Sequence, residues 1–290
     1  MSHSAGTAIG RVVGLWRYPI KSMMGEELNA VEITERGLLG DRAYAVVDTS
    51  DGKVASAKNP RKWPQLFDFR AAFVDSPRTG APLPLVRITL PNGRTVTSEH
   101  AELTEILSTV LSRKVRFEIA GRTGREAGTP KAEEYWPDIE GLDYRDTVTD
   151  FDLPEGTFFD CALVHLLTTA TLGRLRELYP QGRFEARRFR PNIVVEPGDE
   201  VRDFVENAWI GATIAVGEMV RLSITGPCPR CVMTTLPQGD LPKDPGILRA
   251  AAQHNGVNVG VYASVLRGGS VHRGDSVSLV TGAPAERRNP

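Results

Sequence analysis

The sequence predicts a β-rich α+β protein made of two barrel-like units, and three observations carry that prediction. Short segments with period-two alternation or compact apolar runs recur along the whole chain, most of them bounded by Gly, Pro, Asn or Asp. Only three stretches have helical spacing. A polar, glycine-rich passage over residues 121–138, with Pro130 and Pro137, reads as a linker or long surface loop between a first β-rich part and a second. A chain of 290 residues has room for one large domain or two ordinary ones.

In the first part, residues 9–15 read as a strand that ends at Pro19. Residues 28–33 alternate apolar and polar side chains, the period of a half-buried strand. A further strand over 43–48 is closed by the turn Ser50-Asp51-Gly52. Strands over 85–90 and 94–98 flank Pro91-Asn92-Gly93, a hairpin signal. Leu103, Ile106, Leu107, Val110 and Leu111 share one face of a helix over 101–111, and 115–119 returns to strand.

The second part opens with a largely apolar run over 158–167, whose Cys161 and His165 read as core residues. A helix over 168–178 follows, with Thr168 or Thr169 as N-cap and Leu172, Leu175 and Leu178 on one face. Residues 193–195 form a short buried strand. Strands over 209–216 and 220–224 are separated by Gly217-Glu218. A short helix over 245–254 precedes strands over 257–266 and 276–280, which are joined through Arg273-Gly274-Asp275. Residues 283–290 read as a disordered tail. Many short strands with few helices indicate a barrel-like architecture.

Composition narrows the function classes. Hydrophobic residues make up 41% and charged residues 24%, which is ordinary for a globular chain. Thirty-five basic residues balance 36 acidic ones, and the tryptophans show no basic–aromatic interleaving, so no nucleic-acid partner is expected. No apolar run reaches the ~18 residues of a membrane span, and the small polar N-terminus lacks the apolar core of a signal peptide. The three cysteines are too few and odd in number for a disulfide framework, which fits a reducing cytoplasm.

Cys228-Pro-Arg-Cys231 follows a strand and precedes Thr234-Thr235. Two cysteines at this spacing suit a zinc half-site, a redox dithiol, a soft-metal thiolate or a plain buried turn. Structural zinc needs two more ligands, and the five histidines show no ligand spacing. A redox dithiol ordinarily opens a helix in a βαβ setting, which is absent from this stretch. Arg230 beside Cys231 is expected to favour the thiolate, the metal-binding form. Arg183, Arg187, Arg188 and Arg190 cluster just before the strand over 193–195. Such a run is a solvated face or a set of ion pairs, unless it grips a phosphate. Arg190 and Asn192 would share one side of an extended segment, a guanidinium for phosphate and an amide for a heterocycle edge. Lys21 and Ser22, in the loop Tyr18-Pro-Ile-Lys-Ser22, are a second phosphate grip or only a loop. Gly40-Asp-Arg42 is a site element or a turn with a local ion pair.

Taken together these segments resemble the MOSC family in its members with an N-terminal β-barrel domain, similar to the mitochondrial amidoxime-reducing component and its bacterial relatives. Tyr18-Pro-Ile-Lys-Ser22, Gly40-Asp-Arg42, Phe189-Arg-Pro-Asn192, Trp209-Ile-Gly211, Cys228-Pro-Arg-Cys231 and Gly274-Asp275 stand in the family's order. The resemblance spans nearly the whole chain. It implies an N-terminal MOSC β-barrel domain over 8–120, then a MOSC domain over 139–282 that is barrel-like with short helices.

The resemblance also implies a molybdenum cofactor, a pterin whose dithiolene holds the metal, with Cys231 as the protein's thiolate ligand. Lys21, Ser22, Arg42, Arg190, Asn192, Arg230 and Tyr262 match residues that hold or flank the cofactor, as does the hydroxyl pair Thr168 and Thr169 at a helix start. The family is further associated with pyridoxal phosphate binding. The expected reaction is reduction of a small N-hydroxylated substrate. Three cysteines cannot supply both a [2Fe–2S] cluster and the metal ligand, so electrons are expected from a separate iron–sulfur, flavin or haem protein. A sulfur carrier or sulfurtransferase using a Cys231 persulfide, and a non-catalytic cofactor-binding or transfer protein, are the alternatives. Leu236-Pro237-Gln238-Gly239 departs from the acidic residue and proline that usually follow Thr-Thr in this family.

Overall fold

The computed structural model describes residues 6–121, 129–140, 142–198 and 201–280. The tail over 283–290 lies outside them. Seven strands close into a barrel in the second part of the protein. Around the ring they run Ile193–Glu196, Val164–Thr168, Asn258–Arg267, Val220–Pro229, Thr213–Val216, Ser276–Leu279 and Thr7–Arg17, and the last returns to the first. Closure removes the unpaired edges that an open sheet would present. An odd number of strands cannot alternate direction all the way round. One pair has to be parallel, and it is Val164–Thr168 with Ile193–Glu196. A parallel pair needs a crossover. Here it contains the helix Thr169–Leu178 and the short helix Ala186–Phe189.

The barrel interior is filled by aliphatic side chains, among them Leu15, Leu166, Ile193, Val195, Ile214, Leu222, Val261 and Val277. Its first strand comes from the extreme N-terminal part of the chain, so the two halves are interleaved. Ala30–Thr34 also pairs with Gly269–His272. The segment expected as one strand over 28–33 breaks at Asn29: Glu26–Leu28 pairs with the first strand, and the next residues turn to the other sheet.

The N-terminal part holds its own core around Ile20, Met23, Tyr44, Trp63, Phe69, Ile88 and Leu107. It combines the pair Tyr44–Asp48 and Val115–Ile119 with the meander Arg70–Phe73, Val86–Thr89 and Thr95–Thr97. The helix Leu103–Leu111 packs on it and stops at Ser112, which is left-handed at φ 53°. The strand Arg70–Phe73 had no sequence signal, because four residues are too few for a period.

The expected linker over 121–138 is not one throughout. Lys131–Trp136 is a strand paired with Thr147–Asp152, and its Ala132 packs beneath Val47 and Val54; residues 122–128 lie outside the described residues. Cross-strand pairing outweighs the weak local β preference of this acidic stretch. Residues 209–216 are strand only from Thr213, after a 3₁₀ turn over Val205–Trp209. The strand expected over 220–224 instead runs on to Pro229 with three register shifts. Pro227 and Pro229 have no N–H to donate, so the ladder bulges there, and the chain leaves the sheet after Pro229.

Candidate functional site

Val220–Pro229 ends at the seam between the two halves. Cys231 follows in extended conformation and starts the 3₁₀ turn Val232–Thr235. Cys231 and Met233 pack into the N-terminal core, so the loop bridges both halves. Cys231 lines a narrow cleft with Arg42, Lys58, Phe159, Asp160, His165, Phe189, Arg190, Arg230, Met233 and Tyr262.

Cys231 is 7% exposed. Burial pushes its thiol up to about 12, with Glu134 adding to the rise and Lys58 and Arg230 opposing it. Arg230 does favour the Cys231 thiolate, as expected, but burial outweighs it. Arg230 turns to the other sulfur: its Nη1 donates to Cys228 Sγ at 2.6 Å and its Nη2 to the Phe189 carbonyl at 2.9 Å. Its Nε is buried without a partner. The backbone explains this pose. Arg230 N donates to the carbonyl of Val257, a β-branched residue held at φ 69°. Such a conformation is costly and persists only where surrounding contacts impose it.

Ser22, Arg42 and Arg190 are also left-handed, at φ 61°, 46° and 55°. The Arg42 guanidinium lies 4.3 Å from both the Tyr18 and Phe159 ring centroids, between two aromatic faces. It pairs with Asp41, whose other oxygen accepts the Tyr18 N–H. Arg190 stacks 4.1 Å over the same Tyr18 ring and donates to the Met23 carbonyl at 2.7 Å. Burial, with Arg42 adding, pulls Arg190 down to about 10. The Tyr18 hydroxyl is buried with no partner.

Lys21 donates to the Phe158 carbonyl at 2.9 Å and pairs with Asp160. Lys58 reaches Glu134 at 3.1 Å and Asp160 at 3.4 Å. Burial alone would raise the Asp160 carboxyl, but Lys21 and Lys58 hold it well below the usual carboxylate range. Five cations (Lys21, Arg42, Lys58, Arg190, Arg230) thus meet three carboxylates (Asp41, Glu134, Asp160) in and around the cleft. Arg190 and Arg230 bond to carbonyls and sulfur rather than to a carboxylate.

The remaining sequence candidates lie elsewhere. The Ser22 hydroxyl accepts from Ala57 N at 3.0 Å and so anchors the segment that carries Lys58. Asn192 ties two strands together: its Oδ1 accepts from His165 N and its Nδ2 donates to the Trp16 carbonyl. Thr168 caps its helix by accepting from Thr171 N, and its hydroxyl donates to the buried Glu206. Thr169 borders a different surface groove. The helix start and its cap are where the sequence put them, but the barrel wall keeps both hydroxyls out of the cleft lining.

The arginine run divides by burial. Arg183 and Arg187 make surface ion pairs with Glu185 and Asp240. Arg188 is fully buried and donates to the carbonyls of Arg183, Thr234, Leu236 and Pro242, which shapes the loop after Cys231. Gln238, in the departing Leu236–Gly239 stretch, donates to the Arg188 and Met233 carbonyls and braces the same loop.

Sequence reasoning missed Lys58, Asp160 and Phe159. Lys58 sits in Ala57-Lys-Asn-Pro60, which carries no motif, and only long-range pairing reveals it. His165 is buried and its Nε2 meets the Val259 carbonyl at 3.1 Å, as expected of a core histidine, yet it also borders the cleft. Burial, then Arg230, lowers it to about 3, so it is neutral. Cys161 is exposed, contrary to its core assignment. The barrel strand begins only at Val164, and the residues before it form an irregular rim. Among the described residues no three His, Cys, Asp or Glu side chains cluster to hold a metal ion, and no helix is long and apolar enough to cross a membrane.

The MOSC N-terminal beta barrel domain model matches residues 9–127 and the MOSC domain model residues 154–278. Mitochondrial amidoxime reducing component 2 of Rattus norvegicus is 28% identical over 250 residues, covering 79% of this chain and 67% of its own length. Mitochondrial amidoxime-reducing component 1 of Homo sapiens is 24% identical over 253 residues, covering 79% and 66%. The solved YUAD protein of Bacillus subtilis matches with a TM-score of 0.45 at 12% identity, covering 93% of this chain and 94% of that one. With both domain models matched in order over most of its length, the chain belongs to the MOSC family and carries that family's N-terminal β-barrel domain.

Proposed function

We propose that this protein is a molybdenum-cofactor-dependent oxidoreductase that reduces small N-hydroxylated compounds, with electrons supplied by a separate iron–sulfur, flavin or haem protein. The observation that carries this reading is a thiol, Cys231, in one cleft with Arg42, Arg190 and Arg230. The donor set fits the cofactor. A soft thiolate suits a metal that arrives with its other ligands already in place, and the excess of cations suits a phosphate-bearing pterin. The buried, unpartnered Nε of Arg230, a residue of the cleft lining, is a polar group that such a ligand would satisfy. The cleft encloses about 60 Å³, well below the ~300 Å³ of ordinary ligand pockets, so loading requires its walls to part.

When bound, the cofactor supplies the two-electron chemistry that removes oxygen from nitrogen. The protein's residues do the rest. Cys231 would ligate the metal, and metal binding would release its proton, because only the thiolate ligates. Arg42, Arg190 and Arg230 would offset the cofactor's negative charge, prepositioned by aromatic stacking and carbonyl bonds. Relatives named for amidoxime reduction support the substrate class. A persulfide carrier needs a free reactive thiolate, which the burial of Cys231 opposes.

The test is Cys231→Ala in protein made by a host that synthesises molybdopterin. Molybdenum content and benzamidoxime reduction with a chemical reductant should both collapse. A variant that keeps its metal and full turnover would overturn the proposal.

A further inference from the structure

Asp160 lies in the irregular segment between the strands Thr147–Asp152 and Val164–Thr168. Its two carboxylate oxygens face two lysines that come from distant parts of the chain. Oδ1 pairs with Lys21, from the loop after the first strand, and Oδ2 lies 3.4 Å from Lys58. The neighbouring Phe159 covers the Arg42 guanidinium at 4.3 Å, and Phe158 N donates to the Arg42 carbonyl at 3.0 Å. Asp160 therefore sits between Lys21 and Lys58 at one corner of the cleft, with Arg42 beside it across the Phe159 ring. A carboxylate presents two oxygens and one negative charge, the nearest a side chain comes to the edge of a phosphate. Asp160 is bound by salt bridges and not by a sheet ladder, so moving it aside breaks no strand pairing.

We propose that Lys21, Lys58 and Arg42 form an oxyanion subsite whose occupant in the ligand-free protein is the Asp160 carboxylate, and that a phosphate group on the ligand takes its place. Lys58 thereby becomes a ligand-binding residue, and Asp160 the side chain that releases the site. The inference takes from the preceding reading only the identity of the natural ligand. The subsite also binds free inorganic phosphate, and that can be measured without any cofactor.

The experiment uses the full-length protein from a host that makes no molybdopterin, titrated calorimetrically with inorganic phosphate at constant ionic strength. Asp160→Asn keeps the shape of the side chain and removes its charge. It should bind phosphate about ten-fold more tightly than wild type, and its Tm should rise with phosphate concentration, because the ligand binds only the folded form. Adding Lys58→Met to this variant should abolish the gain. Lys58→Met alone should weaken phosphate binding to the otherwise wild-type chain, which keeps the proposal testable if Asp160→Asn fails to fold. Asp160→Asn binding no tighter than wild type, or either Lys58→Met protein binding as its parent does, would overturn the subsite. If the phosphate results hold but no form retains molybdenum in a competent host, the subsite stands and the cofactor reading falls.

Discussion

Arg188 contributes a different kind of support from the other arginines in its run. Fully buried, it donates to four backbone carbonyls, three of them in the loop after Cys231. Arg188→Met would leave those acceptors without partners, at about 1–3 kcal/mol each where no water can replace the donor. We expect a loss of at least about 3 kcal/mol in urea unfolding; a loss under about 1 kcal/mol would show that the loop holds itself. Asp160 gives a pH signature. Its folded pKa lies below its unfolded value, so its ion pairs stabilise the protein above about pH 4 and that stabilisation is lost as pH falls through the folded pKa. The urea midpoint should drop more steeply between pH 5 and pH 3 in wild type than in Asp160→Asn, and parallel curves would refute this. At the thiols, exposed Cys161 should alkylate well before Cys231, which burial keeps protonated at pH 8. Mass spectrometry after brief iodoacetamide treatment of metal-free protein would reveal the reverse order if the reading is wrong.

At the scale of the element, the helix Gly246–Asn255 ends in two successive left-handed residues, Gly256 and Val257. Glycine bears that conformation freely, but a β-branched residue does not. Val257 is held there by its N–H to the Ala251 carbonyl and by its own carbonyl, which accepts from Arg230 N at 2.8 Å. Val257→Asn should keep both bonds, relieve the strain and raise stability by about 1 kcal/mol. A lower thermal midpoint would mean that its apolar packing outweighs the strain. Element legibility followed length and period. The helix Leu103–Leu111 and the Thr168 cap were readable because their signals are local. The strand Lys131–Trp136 was not, because its register depends on a partner that begins eleven residues after it ends.

For the whole molecule, the decisive feature is that Thr7–Arg17 completes the barrel between Ile193–Glu196 and Ser276–Leu279. A fragment beginning after Arg17 would expose two strand edges and the aliphatic interior. We expect it to aggregate or to lack a cooperative unfolding transition by circular dichroism. A soluble, cooperatively folding fragment would disprove the interleaving as a requirement. The same interleaving brings the Tyr18–Ser22 loop beneath Cys231, so the N-terminal core and the cleft are built by one set of contacts.

The sequence by itself determined the β-rich class, the three longer helices and the family, and it singled out Arg42, Arg190, Arg230, Cys231 and Tyr262, which do share a cleft. Those features rest on local periodicity or on motifs of a few adjacent residues, which a single chain displays openly. Only the tertiary structure decided that Lys58 and Asp160 lie with them, that Arg230 faces Cys228, and that Asn192 bonds to the Trp16 carbonyl and Thr168 to its own helix. Those outcomes depend on where side chains from residues 21, 58 and 160 converge and on how deeply each is removed from water. Neither convergence nor desolvation has a signature in local sequence, because both arise from contacts between distant segments.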